Sequence, residues 1–294
     1  MPSTPAPRPR RWDHIGAIII GICLVPMIFI FSSWSVRSVM TNDDVTAVLV
    51  IVLITAFILQ ANAFFAHRSS IGGTVTGLTM AFTSMLAMLA PTTLWRVGHE
   101  SGVVSVFDYA TGWICACLFF GGSIAMRRAR RHGRNLVIDS RRHTDHDQTV
   151  GTIPIPPPSR RPDHIVSGLV SLVGLSAGLP LMTSSYTSWI GPDTSAFNVL
   201  TFFISAFILI ITASVGGRSS LGPRLVGTVA FILPIPSILG CHASWCLLGQ
   251  WFIHSPAPIT TMLSGAILMS TGWGAHWARS RGQREQRALM SVAK

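Results

Sequence analysis

Eight long apolar runs alternate with short polar segments along the chain. They cover residues 14–34, 45–66, 74–94, 107–126, 164–185, 197–216, 225–246 and 257–277. A bilayer core ~30 Å thick needs about 20 apolar residues to be crossed as a helix. The runs are continuous rather than alternating, which argues against barrel strands. The pattern predicts an all-α integral membrane protein with eight transmembrane helices.

The pattern also repeats. Shifted by 150 residues, the chain matches itself without gaps. Arg10, Arg11, Asp13, His14 and Ile15 fall on Arg160, Arg161, Asp163, His164 and Ile165. Ala56-Phe57-Ile58-Leu59 falls on Ala206-Phe207-Ile208-Leu209, and Arg68-Ser69-Ser70 on Arg218-Ser219-Ser220. Between residues 10 and 77 there are 19 identities in 68 positions. Apolar composition alone cannot place Arg, Asp and His in register. Two tandem, parallel four-helix repeats are expected, related by an axis along the membrane normal. The first span then corresponds to a mid-chain span, so it is expected to be retained rather than cleaved as a signal. The expected division is a basic N-tail at 1–12, repeat one at 13–134, a linker at 135–162, repeat two at 163–284 and a C-tail at 285–294. The linker is polar and then proline-rich (Ile153-Pro154-Ile155-Pro156-Pro157-Pro158), which favours an extended tether.

Charge adds orientation. Only 11% of residues are charged, against roughly a quarter in soluble domains, yet the net charge is +11. The N-tail, the 67–73 and 217–224 loops, the 127–163 segment and the chain after residue 277 hold 20 of the 22 Arg and Lys residues. The positive-inside rule makes that side cytoplasmic, with both termini there. The arginines flank apolar spans, so topology rather than nucleic acid accounts for them. The lipid bilayer is the expected partner, with Arg127–Arg134 suited to anionic lipid headgroups. A bacterial plasma membrane is the expected location.

Candidate chemistry is sparse. No span carries a charged residue near its centre, where proton and ion pathways keep theirs. There is no phosphate loop, nucleophile elbow, zinc spacing or cofactor motif. No enzymatic activity, metal or cofactor is expected. Asp13 and Asp163 fall at predicted helix starts, where each can cap free N–H groups. With Arg68 and Arg218 they form two candidate inner-face clamps. Thr76, Thr79 and Thr83 share one face of the third span, beside Ser84. Pro234 and Pro236, with Ser237, interrupt the seventh span. These residues form a candidate central pathway. Gly174 and Gly178 form a close-packing pair that would make the fifth span central. Cys241 and Cys246 form a candidate disulfide if the helix ends between them.

The plan of each unit, two spans, an arginine-containing loop, two spans and an arginine-rich exit, resembles in layout the membrane modules of some bacterial sensor kinases. Two functions are expected. One is transport or export of a small uncharged or apolar solute at the repeat interface. The other is a non-enzymatic membrane scaffold or sensory subunit that presents the basic 127–163 linker and the basic tail to cytoplasmic partners. A wet interface between the repeats favours the first, and a dry one the second.

Overall fold

The computed structural model describes residues 10–89, 110–150, 160–190, 195–239 and 257–292. No strand occurs among them. The long helices are α1 (Arg10–Met40), α2 (Asp44–His67), α3 (Ile71–Leu89), α4 (Thr111–Val150), α5 (Arg161–Ile190), α6 (Ala196–Ser214), α7 (Leu221–Ile232) and α8 (Ala257–Val292). A further helical turn, Ile235–Ile238, follows α7. Helices α1, α2, α3, α5 and α6, and the segment from α7 through Ile238, are long and apolar enough to cross a membrane. The chain is a multi-pass membrane protein.

Local sequence sets the helix ends. The Asp43 side chain accepts from the Thr46 N–H and starts α2, and Ser195 accepts from Asn198 to start α6. Both side chains satisfy an N–H that the first turn leaves free. Asp13 and Asp163 were expected to do the same, but α1 and α5 begin two or three residues before them. Each aspartate therefore lies inside the first turn, near the positive end of the helix dipole. Proline ends α7 as expected. Pro234 lacks an N–H, the chain turns at Leu233–Pro234, and helix resumes only for the turn Ile235–Ile238.

The first four helices form a chain of neighbours: α1 packs on α2 and α3, and α3 packs on α4. The last four repeat this order, with α5 on α6 and α7, and α7 on α8. Close approaches recur 150 residues apart. Gly77 lies against the Ala116 carbonyl of α4, and Gly227 against the Gly265 carbonyl of α8, at 2.8 and 2.7 Å from the position a Cβ would take.

The two sets interlock. Helix α4 runs along α8, α2 packs on α8, and α6 packs on α4. Glycines let the backbones meet. A Cβ at Gly121 would overlap the Ile210 carbonyl, one at Gly133 the Arg279 carbonyl, and one at Gly282 the Arg130 carbonyl. Gly122 faces the Thr271 side chain, and Gly274 the Met126 side chain. Ile114, Leu118, Phe119 and Met126 of α4, with Met262, Leu263, Ile267 and Leu268 of α8, are almost wholly buried. A helix buried on nearly all sides is the core of a bundle.

This centre differs from the expected one. Leu78, Phe82, Met85 and Leu86 of α3 are exposed, as are Leu225, Val229 and Ile232 of α7. Ile165, Leu169, Leu172 and Val173 of α5 are exposed too. These three helices are flanks. Gly174 and Gly178 pack α5 against Thr212 and Leu209 of α6, not against the centre. The 135–162 linker also differs. Helix α4 continues through Val150, and its polar run Arg134–Arg141 stays helical. The proline-rich 153–158 lies outside the described residues.

Candidate functional site

The arginine-rich ends of the helices meet on one face, and two contacts there recur at the offset of 150. His14 Nδ1 hydrogen-bonds Ser69 Oγ at 2.8 Å, and His164 Nδ1 hydrogen-bonds Ser219 Oγ at 2.6 Å. Ser69 and Ser219 each also accept from the backbone N–H two residues on, Ile71 and Leu221, at 3.3 Å. Those serines fix the turn into α3 and α7, and the histidines tie that turn to α1 and α5. Beside them, Arg68 meets Asp13 at 3.1 Å and Arg218 meets Asp163 at 3.6 Å. The Asp13 side chain is 19% exposed and that of Asp163 46%. The first pair is the better shielded.

Sequence reasoning missed a third acid. Glu285 of α8 binds Arg130 and Arg134 of α4 and Arg281 of α8. The distances to Arg134 and Arg281 are 2.7 and 2.9 Å. Burial pushes the Glu285 carboxyl up. Hydrogen bonds from the three guanidiniums outweigh this and hold it at about 2. The Arg281–Glu285 spacing of four residues was a visible signal. The link to α4 was not, because α4 and α8 had to be placed side by side first.

The three elements enclose a cleft of about 380 Å³. Asp13 and His14 of α1, Arg68 to Ile71 of the α2–α3 turn, and Arg127, Arg130, Arg131 and Arg134 of α4 line it, with Arg281 of α8. Arg127 donates to the Ser70 and Thr74 hydroxyls at 3.2 and 3.0 Å, and Thr74 donates to Ser123. Six guanidiniums face the cleft with Asp13 as its one lining acid. Glu285 stands behind three of them.

The corresponding place in the second set is built differently. Thr74, Ser123, Arg127 and Arg130 correspond to Arg224, Trp273, Trp277 and Ser280. The Arg224 guanidinium lies 3.9 Å from the centre of the Trp273 ring, and the Trp273 and Trp277 rings are 5.9 Å apart. His67 stacks on Trp277 at 6.2 Å. Arg279 donates to the Gly217 and Arg218 carbonyls.

The pathway candidates do not gather. Thr76 is fully buried and donates within reach of the Gly21 and Gly72 carbonyls, at 3.2 and 2.9 Å. Thr83 donates to the Thr79 carbonyl of its own helix. Ser84 is buried against Phe29 and Gly112 and has no hydrogen-bond partner among the described residues. Pro234, Pro236 and Ser237 lie at the end of a different flank. The Thr76 and Thr83 hydroxyls join helices or bond back to their own backbone. Cys241 and Cys246 lie outside the described residues. Cys115 and Cys117 are buried free thiols. No group of three metal-ligating side chains occurs among the described residues. Comparison with protein-family models, curated proteins and solved structures finds no match.

Proposed function

We propose that the chain is a non-enzymatic membrane scaffold or sensory subunit. In this reading eight helices cross a bacterial plasma membrane as two parallel four-helix repeats. Both termini lie in the cytoplasm, where the arginine-rich ends of α4 and α8 are presented. Helices α4 and α8 cross with less apolar sequence because their neighbours shield them from lipid. Buried helices can afford glycine, serine and threonine, which lipid-facing helices use less freely.

The observation that supports the reading is the close-packed contact between the two sets. Glycines bring α4 and α8 to backbone contact, and two pairs of polar side chains join the sets. Asn62 of α2 donates to Ser270 of α8 at 2.7 Å, and Thr111 of α4 pairs with Thr260 of α8 at 2.8 Å. A solute path between the repeats needs room that these contacts fill. The helices α4 and α8 also run on well past their apolar parts, to Val150 and Val292. Twenty further residues of helix reach roughly 30 Å. Helices of that length suit a docking surface.

The transport reading rests on the proline break after α7 and on the duplication, and the break lies on a flank. The test is thiol accessibility in a version without the native cysteines. Single cysteines at Asn62, Thr111 and Ser270 sample the interface, and cysteines at Thr79 and Ser237 sample the flanks. Intact cells and inverted vesicles are each challenged with a membrane-impermeant thiol reagent. Protection at the interface sites from both sides is expected. Labelling of Asn62→Cys or Ser270→Cys would reject the scaffold in favour of a wet path.

A further inference from the structure

We propose that the cleft between α1, the α2–α3 turn and α4 binds the phosphate of an anionic phospholipid, with one acyl chain in the adjoining groove of α1 and α2. The inference rests on the scaffold reading only for the orientation of the arginine-rich face.

Charge is the first argument. Arg68, Arg127, Arg130, Arg131, Arg134 and Arg281 line the cleft. Arg68 is matched by Asp13, while Arg130, Arg134 and Arg281 share the single carboxylate of Glu285. Among the described residues Arg127 bonds only the neutral hydroxyls of Ser70 and Thr74. Six guanidiniums against two carboxylates leave four positive charges over. A phosphate in the cleft would supply the missing anion, and the planar guanidinium fork fits its oxygens.

Preorganisation is the second. Glu285 fixes three of the guanidiniums, Ser70 and Thr74 fix a fourth, and Asp13 a fifth. Donors already held in place lose little freedom when a ligand arrives. Arg131 is exposed on the same helix and completes the ring.

Continuity with an apolar groove is the third. Arg68 also ends a groove of about 590 Å³ between α1 and α2. Ile20, Leu24, Met27, Phe57 and Phe64 line it. One arginine thus joins a charged cleft to an apolar channel on the lipid-facing surface. A headgroup with an attached chain matches that order of surfaces, and a free phosphate uses only half of it.

The test uses the full chain in an uncharged detergent. A short-chain phosphatidic acid, its deacylated glycerol phosphate and inorganic phosphate are titrated separately, with adducts counted by native mass spectrometry. The short-chain lipid is expected to bind at least tenfold more tightly than either chain-free phosphate. Arg127→Gln with Arg131→Gln is expected to weaken lipid binding about tenfold. Arg284→Gln with Arg287→Gln removes equal charge outside the cleft and is expected to change it less than twofold. Melting of each variant checks that the fold is kept. Equal losses from both pairs would mean unspecific attraction and would overturn the site. Chain-free phosphates binding as tightly as the lipid would overturn the lipid assignment, and no binding of any ligand would overturn the whole proposal. None of these outcomes depends on thiol accessibility of the helix interface.

Discussion

The two arginine-rich corners start from one plan and finish as different surfaces. Both keep a histidine on the turn serine and an aspartate beside the arginine that precedes that serine. In the first, Arg127, Thr74 and Ser123 form a polar chain that leaves an open, charged cleft. In the second, the corresponding positions carry Trp277, Arg224 and Trp273, and the cation lies against an indole face. A ring can take up a guanidinium as a carboxylate would, at about 0.5–2 kcal/mol, while filling space. The skeleton holds the helices in both corners, and the positions around it decide whether a guanidinium meets hydroxyls or an indole face.

The largest expected effect falls on what the corners share. Gly133→Leu and Gly282→Leu each force a side chain into the opposing backbone and should cost 3 kcal/mol or more, on the order of the upper range for overpacking. Gly168→Ala, with nothing within 4 Å of its Cβ position, is the control and should leave the melting temperature unchanged. Thermal unfolding in detergent reads all three.

Next comes the acid that ties one corner to the other. Glu285→Gln leaves three guanidiniums facing each other and should cost about 1–2 kcal/mol, between exposed and buried ion pairs. The folded pKa of about 2 lies below the usual value near 4.3. The stabilisation is therefore complete above the unfolded value and is lost as pH falls towards 2. The melting gap between wild type and Glu285→Gln should stay constant from pH 7 to 5 and narrow progressively below about pH 4. A gap undiminished at pH 2.5 would remove Glu285 from this role.

The clamps should split the corners more finely. Asp13→Asn is expected to cost about 0.5–1 kcal/mol and Asp163→Asn close to nothing, since the second pair is longer and more exposed. The smallest difference belongs to the paired histidines. His14→Ala and His164→Ala should each lose about 1 kcal/mol, the usual worth of one hydrogen bond. Unequal losses would show that the two turns are not held alike.

Much of this was legible in the chain. Continuous apolar runs announced the helices, and the register of Arg68 with Arg218 and of His14 with His164 announced the recurring contacts. The centre of the bundle was not legible. Hydroxyls and prolines drew attention to α3 and α7, because polar atoms in an apolar run look functional. The partners of Thr76 and Thr83 are carbonyls of α1 and of their own helix. The real centre is marked by Gly121, Gly122, Gly133 and Gly282, and a glycine signals closeness only once its neighbour is known. Glu285 was hidden for the same reason, since its ligands are about 150 residues away in sequence.

The exchange of neighbours between the two sets has a consequence for synthesis. As the chain leaves the ribosome, α2 and α4 are made before α8 and α6, the helices that cover them. The early product must wait with those faces open, guarded by lipid, by another chain or by an insertion chaperone. Its maturation is thus timed by α8, and a nascent chain arrested after Val150 should be cut by protease faster than one carrying an added C-terminal extension that lets α8 clear the exit tunnel.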